Sequence, residues 1–267
     1  MRNVSCNALI LSIQPQGENN RTATIFSEAE GIIYATLYGG PKSKLRSLVS
    51  PMNSGVLYLY RDEAKKSTKI TDFDVKKYHL SFRENLFKTF ASSLAAEILI
   101  KTKCAGSPKS AWRITNGLLD GMELSDEKES RLGFVRFLWR YLEILGIKPN
   151  TSTCVQCGES LHSRKFTNDS LLYMNIFDER ENGFICADCS HSMYSAQGGN
   201  DSYKPRFILG KSAVTYLEAI STLAPKDVRR ILIDEKSYLE MKELCFALIE
   251  NACGSKLKSL ESGIGIL

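Results

Sequence analysis

Two Cys-x-x-Cys pairs, Cys154/Cys157 in CVQCG and Cys186/Cys189 in CADCS, constrain this chain more than any other feature. Each pair can turn two thiols toward one point, and four thiolates complete the tetrahedral shell of a zinc ion. The spacer between the pairs, residues 158–185, is 28 residues long, which accommodates an intervening β-hairpin. A metal held there would close a sizeable loop. Catalytic zinc keeps one position open for water and normally takes His or carboxylate ligands, whereas four sulfurs leave no vacancy. The expected cofactor is therefore a structural zinc on Cys154, Cys157, Cys186 and Cys189. Three readings compete with it: His162 or His191 replacing one cysteine, a thioredoxin-like redox pair, or an iron–sulfur cluster. The redox reading needs a strand-to-helix setting, while both pairs lie in turn-like sequence with Gly158 or Gly183 nearby. Cys6, Cys104, Cys245 and Cys253 sit in apolar contexts and are expected to pack as small hydrophobes.

With 267 residues and 43% hydrophobic content, the chain can bury a core in each of two domains besides a metal module. Its opening, MRNVSCNALILSIQPQG, holds only a short apolar run, and no later stretch approaches membrane-span length, so a soluble, cytoplasmic protein with no membrane contact is expected. Metal-type cysteine pairs agree with a reducing compartment. The formal charge of +5 is unevenly spread. Residues 1–80 carry eleven Lys/Arg against seven Asp/Glu, and residues 151–203 carry three against seven. The cysteine segment is thus acidic, and a four-thiolate zinc would make it more so. Any polyanion site belongs to the first half.

Five strands are predicted up to about residue 77: VSCNALILSI, RTATIFS, GIIYATLY, SGVLYLYR and STKITDFDV, punctuated at Gly17, Gly39–Gly40 and Pro51–Gly55. Strand runs of this length with turn signals predict a small barrel. Alternation assigns Leu9, Leu11 and Ile13 to one face of the first strand, with Ala35 and Leu37, and Leu57 and Leu59, on the aliphatic faces of later ones. The opposite faces carry Tyr34, Tyr38, Tyr58 and Tyr60. Such rings can stack exposed bases, or they can pack half-buried against a neighbouring domain.

From Ser81 the period becomes helical. Phe82, Leu86, Phe87, Phe90, Leu94 and Ile98 share a face behind a Ser81/Glu84 capping box. A shorter helix follows to Gly121, and a third begins at a Ser125/Asp126 cap and ends at Gly146 before Pro149. Arg136 and Arg140 on it read as a solvated stripe. AQGGNDSYKPR reads as a connecting loop. Helical spacing resumes over residues 207–224, 226–233 and 236–253, completing a bundle with the first helices. No nucleotide cradle, nucleophile elbow or zinc-protease pattern is present, and no His-x-Glu accompanies the Cys-x-x-Cys pairs as in zinc deaminases, so the chain is not expected to be an enzyme.

A tyrosine-rich barrel, the basic segment GGPKSKLRS, helices, LGIKPNTSTCVQCG and NGFICADCS, then helices ending in KLKSL resemble, in that order and over essentially the whole chain, the RecO family of bacterial recombination mediators. The cysteine knuckles behind an LG-x-x-P helix end are the most specific portion. The chain departs from the family pattern in its first hairpin, GENNRTATIFSEAEG, and in NGFIC, where two glycines are usual. The resemblance implies an α+β protein: an N-terminal five-stranded OB-fold β-barrel over 1–79, an α-helical domain over 80–150 and 204–267, and an inserted four-cysteine zinc module over 151–203. It implies binding of single- and double-stranded DNA, annealing of complementary strands, and loading of RecA with RecR onto DNA coated by single-strand-binding protein. The acidic tail of that protein would dock in an apolar groove of the helical domain. The expected phosphate contacts are Lys42, Lys44 and Arg46, clustered in one flexible loop, with Lys65, Lys66 and Lys69 about a hairpin tip. The loop could instead be a hinge whose lysines serve solubility. The alternative functional reading is a zinc-stabilised OB-fold scaffold for protein or RNA contacts in a transcription or RNA-processing assembly.

Overall fold

The computed structural model describes residues 2–40, 43–161, 174–196 and 205–267. Lys42 and His162 lie outside the described residues, as do the side chain of His191 and most of the segment read as a connecting loop. The chain forms two compact units, one of Met1–Phe134 with Ala252–Leu267 and the other of Val135–Asn251.

In the first unit, β1 (Arg2–Gln16), β2 (Asn20–Ser27), β3 (Gly31–Leu37), β4 (Ser54–Asp62) and β5 (Ser67–Lys77) close a barrel in the order β1-β2-β3-β5-β4. Every neighbouring pair is antiparallel except β3 with β5, which meet in parallel at Thr36 and Lys69. A short helix, α1 (Lys44–Leu48), joins β3 to β4. This is an OB fold. Its interior is filled by Ala8, Ile10, Ala23, Ile25, Ala35, Leu37, Leu57, Leu59, Ile70 and Phe73, with Val49 just after α1.

The first strand does not use the face that simple alternation assigns to it. Ala8 and Ile10 point into the barrel, and the register with β2 then slips between Ile10 and Ser12, which returns Ile13 to the inside. An extra residue in one strand reverses the alternation beyond it. Leu9 and Leu11 are buried on the outside of the barrel, where Phe26, opposite Leu9, meets the Trp112 ring edge-on at 5.3 Å. Another slip, where Lys76 of β5 is the extra residue opposite Ser54 and Gly55, brings β5 so close that a Cβ at Gly55 would strike the Asp74 carbonyl.

The barrel hands over to helices at His79, whose ring is buried, stacks on Phe82 and places Nδ1 2.7 Å from the Met52 carbonyl. Ser81 lies in a single 3-10 turn, Leu80–Glu84, and does not start the next helix. That role falls to Asn85, whose side chain accepts from the Lys88 amide at 3.0 Å to begin α2 (Leu86–Thr102). Leu86 consequently faces solvent while Phe87, Leu94 and Ile98 are buried. α3 (Pro108–Leu124) runs through Gly121 rather than stopping there. α4 (Glu127–Ile144) begins at the Asp126 cap, which accepts from the Glu129 amide at 2.8 Å.

The second unit takes the last part of α4, the strands β6 (Met174–Asp178), β7 (Gly183–Ile185) and β8 (Ile208–Gly210), and the helices α5 (Ala187–Ala196), α6 (Lys211–Thr222), α7 (Pro225–Val228) and most of α8 (Glu235–Cys253). The strands form a small sheet in the order β7-β6-β8, so Ile208–Gly210 is a strand where helical spacing predicts the start of a helix. Trp139 donates to Ser221 at 3.1 Å, tying α4 to α6. Arg136 is buried and donates to the Tyr216 hydroxyl at 2.9 Å, so it is no solvated stripe. A last short helix, α9 (Lys258–Ser262), belongs to the first unit: Glu97 of α2 accepts from the amides of Lys258 at 3.0 Å and Ser259 at 2.7 Å.

Candidate metal centre and nucleic-acid interface

Cys154 and Cys157 occupy a tight knuckle. The Cys154 amide donates to the Glu159 carbonyl at 2.8 Å, and Gly158 donates back to the Cys154 carbonyl at 2.9 Å with φ +76, a left-handed conformation that glycine adopts without strain. The knuckle is held to β7 by the bond from the Val155 amide to the Phe184 carbonyl at 2.9 Å. Here Gly183 is required, because a Cβ would collide with the Val155 side chain. Cys186 follows β7 directly and Cys189 lies in the first turn of α5, so the second pair does have the strand-to-helix setting that its sequence does not reveal.

That setting does not make it an isolated redox pair. The sulfurs of all four cysteines lie within 4.8 Å of one another, and Cys157 Sγ is 3.8 Å from Cys186 Sγ, across the two pairs. A zinc ion with bonds of about 2.3 Å in a regular tetrahedron separates its sulfurs by about 3.8 Å. A disulfide would need about 2.05 Å. The quartet therefore surrounds a space suited to one ion, and small side-chain adjustments close the tetrahedron. The backbone favours anionic sulfur: Cys154 Sγ accepts from the amides of Gln156 at 3.4 Å and Cys186 at 3.3 Å. Burial opposes ionisation of Cys154, but amide donors from Cys186, Cys157 and Gln156 more than offset it and lower its pKa to about 7. Burial and the neighbouring sulfurs of Cys157 and Cys186 push the Cys189 thiol upward. A divalent cation relieves that crowding of negative charge, so the donor set fits a metal. The amide donors to Cys154 were not legible as such, although the glycine of CVQCG is the sequence sign of the turn that aims one of them.

The cations of the first unit sort into two groups. Arg61 pairs with Glu30 at 2.7 Å, Lys76 with Asp74 at 2.6 Å and Lys77 with Asp120 at 2.5 Å. Lys44, Arg46, Lys65, Lys66 and Lys69 form no ion pair among the described residues. Lys44 and Arg46 sit in α1, not in a flexible loop. Two positions apart on a helix, they point to different sides. Lys65 and Lys66 are exposed in the tight turn between β4 and β5, and Lys66 has φ +48. Arg21, opposite Leu37 at the start of β2, is a further cation without an ion pair among the described residues. It stands alone in the sequence, and only pairing brings it beside the end of β3. Of the four tyrosines, Tyr34, Tyr38 and Tyr58 are exposed, so the half-buried packing anticipated as an alternative fits Tyr60 alone.

Comparison with known proteins accounts for both units. The model of the recombination protein O N-terminal region matches residues 1–79, and that of the recombination protein O C-terminal region matches residues 83–261. The chain belongs to the recombination protein O family, RecO. Its similarity to individual RecO proteins is distant. It is 23% identical over 164 residues to the DNA repair protein RecO of Syntrophobacter fumaroxidans, covering 61% of this chain and 65% of that protein. It is 27% identical over 161 residues to the DNA repair protein RecO of Heliobacterium modesticaldum, covering 60% and 57%. For that of a Thermoanaerobacter species the identity is 24% over 170 residues, covering 63% and 68%. The aligned part thus spans roughly three-fifths of these RecO relatives. Among the described residues no helix is long and apolar enough to cross a membrane.

Proposed function

We propose that the protein is a DNA-binding recombination mediator that works by charge and shape rather than by covalent chemistry. The observation that carries this reading is the match of both RecO regions across the two units. The unpaired cations about the barrel support it physically. Lys44, Arg46, Lys65 and Lys66, with Lys42 in the same basic segment as the first two, neutralise phosphates on binding and release counterions, which favours association without reading sequence. Annealing then needs no catalytic group, because neutralised strands repel each other less and base pairing supplies the driving force. On this reading the protein anneals complementary strands and, with RecR, assists loading of RecA onto single strands coated by single-strand-binding protein, whose acidic tail it engages. It acts in the cytoplasm and is not an enzyme.

The cysteine quartet, on the same reading, holds one structural zinc. Its four sulfurs are too close together to leave room for a multi-iron cluster, and the closed set gives the ion no substrate position. Strand-annealing and gel-shift assays over a salt series test the whole. Binding of both DNA forms that weakens steeply with salt is expected. Affinity that prefers RNA, or that ignores ionic strength, would favour the scaffold reading instead.

A further inference from the structure

The four sulfurs of the cysteine quartet are not equally reachable. Cys154 is buried, and the amides of Gln156 and Cys186 cap its sulfur at 3.4 and 3.3 Å. Cys186 and Cys189 are partly buried. Cys157 alone of the four is exposed, beside the left-handed turn at Gly158. A sulfur that holds a metal is a thiolate, and thiolates rather than thiols attack electrophiles. The quartet therefore offers one thiolate to solutes and shields another behind protein.

A second sulfur stands ready across the two pairs. Cys157 Sγ is 3.8 Å from Cys186 Sγ, so a closure of roughly 1.8 Å brings them to disulfide distance. Cys186 follows β7 directly, and the bond from the Val155 amide to the Phe184 carbonyl already holds the first knuckle against that strand. A covalent link from Cys157 to Cys186 thus joins the same two segments that a metal joins. Charge selects the oxidant. Glu159 and Asp188 stand within two residues of the cysteines in a segment that is acidic throughout, which repels anionic disulfides such as glutathione disulfide. Neutral hydrogen peroxide meets no such barrier.

From this arrangement we infer that Cys157 is a site of oxidation by peroxide and that Cys186 resolves the product as a disulfide. The Cys157 thiolate attacks one oxygen of hydrogen peroxide, the O–O bond breaks, and a sulfenic acid forms with release of hydroxide. The Cys186 thiolate then attacks the sulfenic sulfur, the disulfide forms, and a second hydroxide leaves. Two electrons pass from the sulfurs to the peroxide, and two protons from solvent convert both hydroxides to water. Cys154 and Cys189 are then too few to retain an ion. The inference rests on the structural-zinc reading above and adds a reaction to that site.

The zinc-loaded full chain is treated with hydrogen peroxide. A chromogenic chelator reads released zinc, and mass mapping after blocking of free thiols reads the disulfides. Zinc release should keep pace with a Cys157–Cys186 linkage, and dithiothreitol with added zinc should reverse both. Dimedone added at early times marks the first sulfur oxidised in the unmodified chain, which needs no variant to fold, and the label should lie on Cys157. Cys157→His keeps a fourth ligand without an oxidisable sulfur, so it should hold zinc and release it roughly tenfold more slowly. Hydrogen exchange should show Val155 still protected in the oxidised, metal-free chain, because the disulfide takes over the link. First labelling at Cys154 or Cys189, a Cys154–Cys157 disulfide instead of the cross-link, or zinc retained while the partly buried Cys6 and Cys253 are oxidised would overturn the inference and leave the zinc reading intact. A purified chain that carries no zinc would overturn the zinc reading and the inference with it.

Discussion

In the barrel, strands of seven to fifteen residues pair edge to edge until no edge remains, and aliphatic and aromatic side chains fill the space inside. In the cysteine module, strands of three to five residues form one small sheet, and four sulfurs converge beside it. The barrel's order comes from apolar burial and complete pairing, both indifferent to ions. The module pairs far fewer residues and buries a smaller apolar cluster about Phe177, Phe184 and Phe207, and on the proposed reading a metal closes its knuckle on β7 and α5. Their charge follows the same division, with cations that form no ion pair among the described residues around the barrel and an acidic segment around the cysteines. On the proposed reading, one region meets a polyanion and the other holds its own shape.

Removing the metal should separate the two regions most sharply. Cys154→Ser deletes the sulfur that the backbone amides support, and a structural zinc contributes on the order of 10 kcal/mol to folding. Metal analysis should show loss of zinc. Hydrogen exchange should show lost protection at Val155 and Cys186, with barrel amides such as Ile25 and Leu57 still protected. A metal-free variant that keeps protection throughout would break the comparison. On the barrel side, changing Lys44, Arg46, Lys65 and Lys66 together to Ala should flatten the salt dependence of single-strand binding, its log–log slope losing up to about 3 if each cation meets one phosphate. Stability should stay within about 0.5 kcal/mol, because these side chains are at the surface.

Each region also has a glycine that sharpens the contrast. Gly55→Ala drives a methyl into the Asp74 carbonyl, and Gly183→Ala drives one into Val155. Each should cost about 1–3 kcal/mol. Only the Gly183 variant should also weaken metal retention, which a competing chelator measures. A smaller effect is expected at Tyr216→Phe, which removes the acceptor facing Arg136 and should cost about 1 kcal/mol in urea unfolding.

The smallest effect concerns pH. Burial alone would raise the Glu97 carboxyl, but donors from Ser259, Lys101 and Lys258 more than offset it and hold the group below the usual carboxylate range. A depressed carboxylate stabilises the fold fully above its unfolded pKa and loses that contribution as pH falls through its folded value. The docking of α9 on α2 should therefore loosen only below about pH 4. Glu97→Gln should remove that pH dependence, as read by exchange at the amides of Lys258 and Ser259.

How much of this was legible in the sequence differs between the regions for physical reasons. All five barrel strands announce themselves, because period-two alternation and glycine-bearing turns are local. The face of β1 was not legible: the slip at Leu11 exists only in its pairing with β2, and it exchanges the roles of Leu9 and Ile10. Ser81 and Glu84 match a capping box in spacing, yet the chain turns once there and caps at Asn85. Gly121 is a helix stop by propensity, but α3 continues through it to Leu124. Arg136 lies on a face that reads as charged, and only the fold supplies Tyr216 as its partner.

The four cysteines were legible from spacing alone, since ligand identity and interval encode the site. The strand-to-helix setting of the second pair was not, because three residues of β7 are too few to show a period. Lys44, Arg46, Lys65 and Lys66 were visible as cations. Arg61 and Lys77 find their carboxylates, Glu30 and Asp120, only through the fold, whereas Lys76 pairs with Asp74 two positions earlier in β5.

The most direct test of this division of labour is single-strand binding by the intact chain before and after its metal is stripped with a chelator under reducing conditions, with protection of the barrel amides followed in the same samples. The account predicts that the module loses its protection while the barrel keeps both its own and its salt-sensitive grip on oligothymidylate. Loss of that grip together with the metal, with the barrel still folded, would place the DNA contacts in the cysteine module and contradict it.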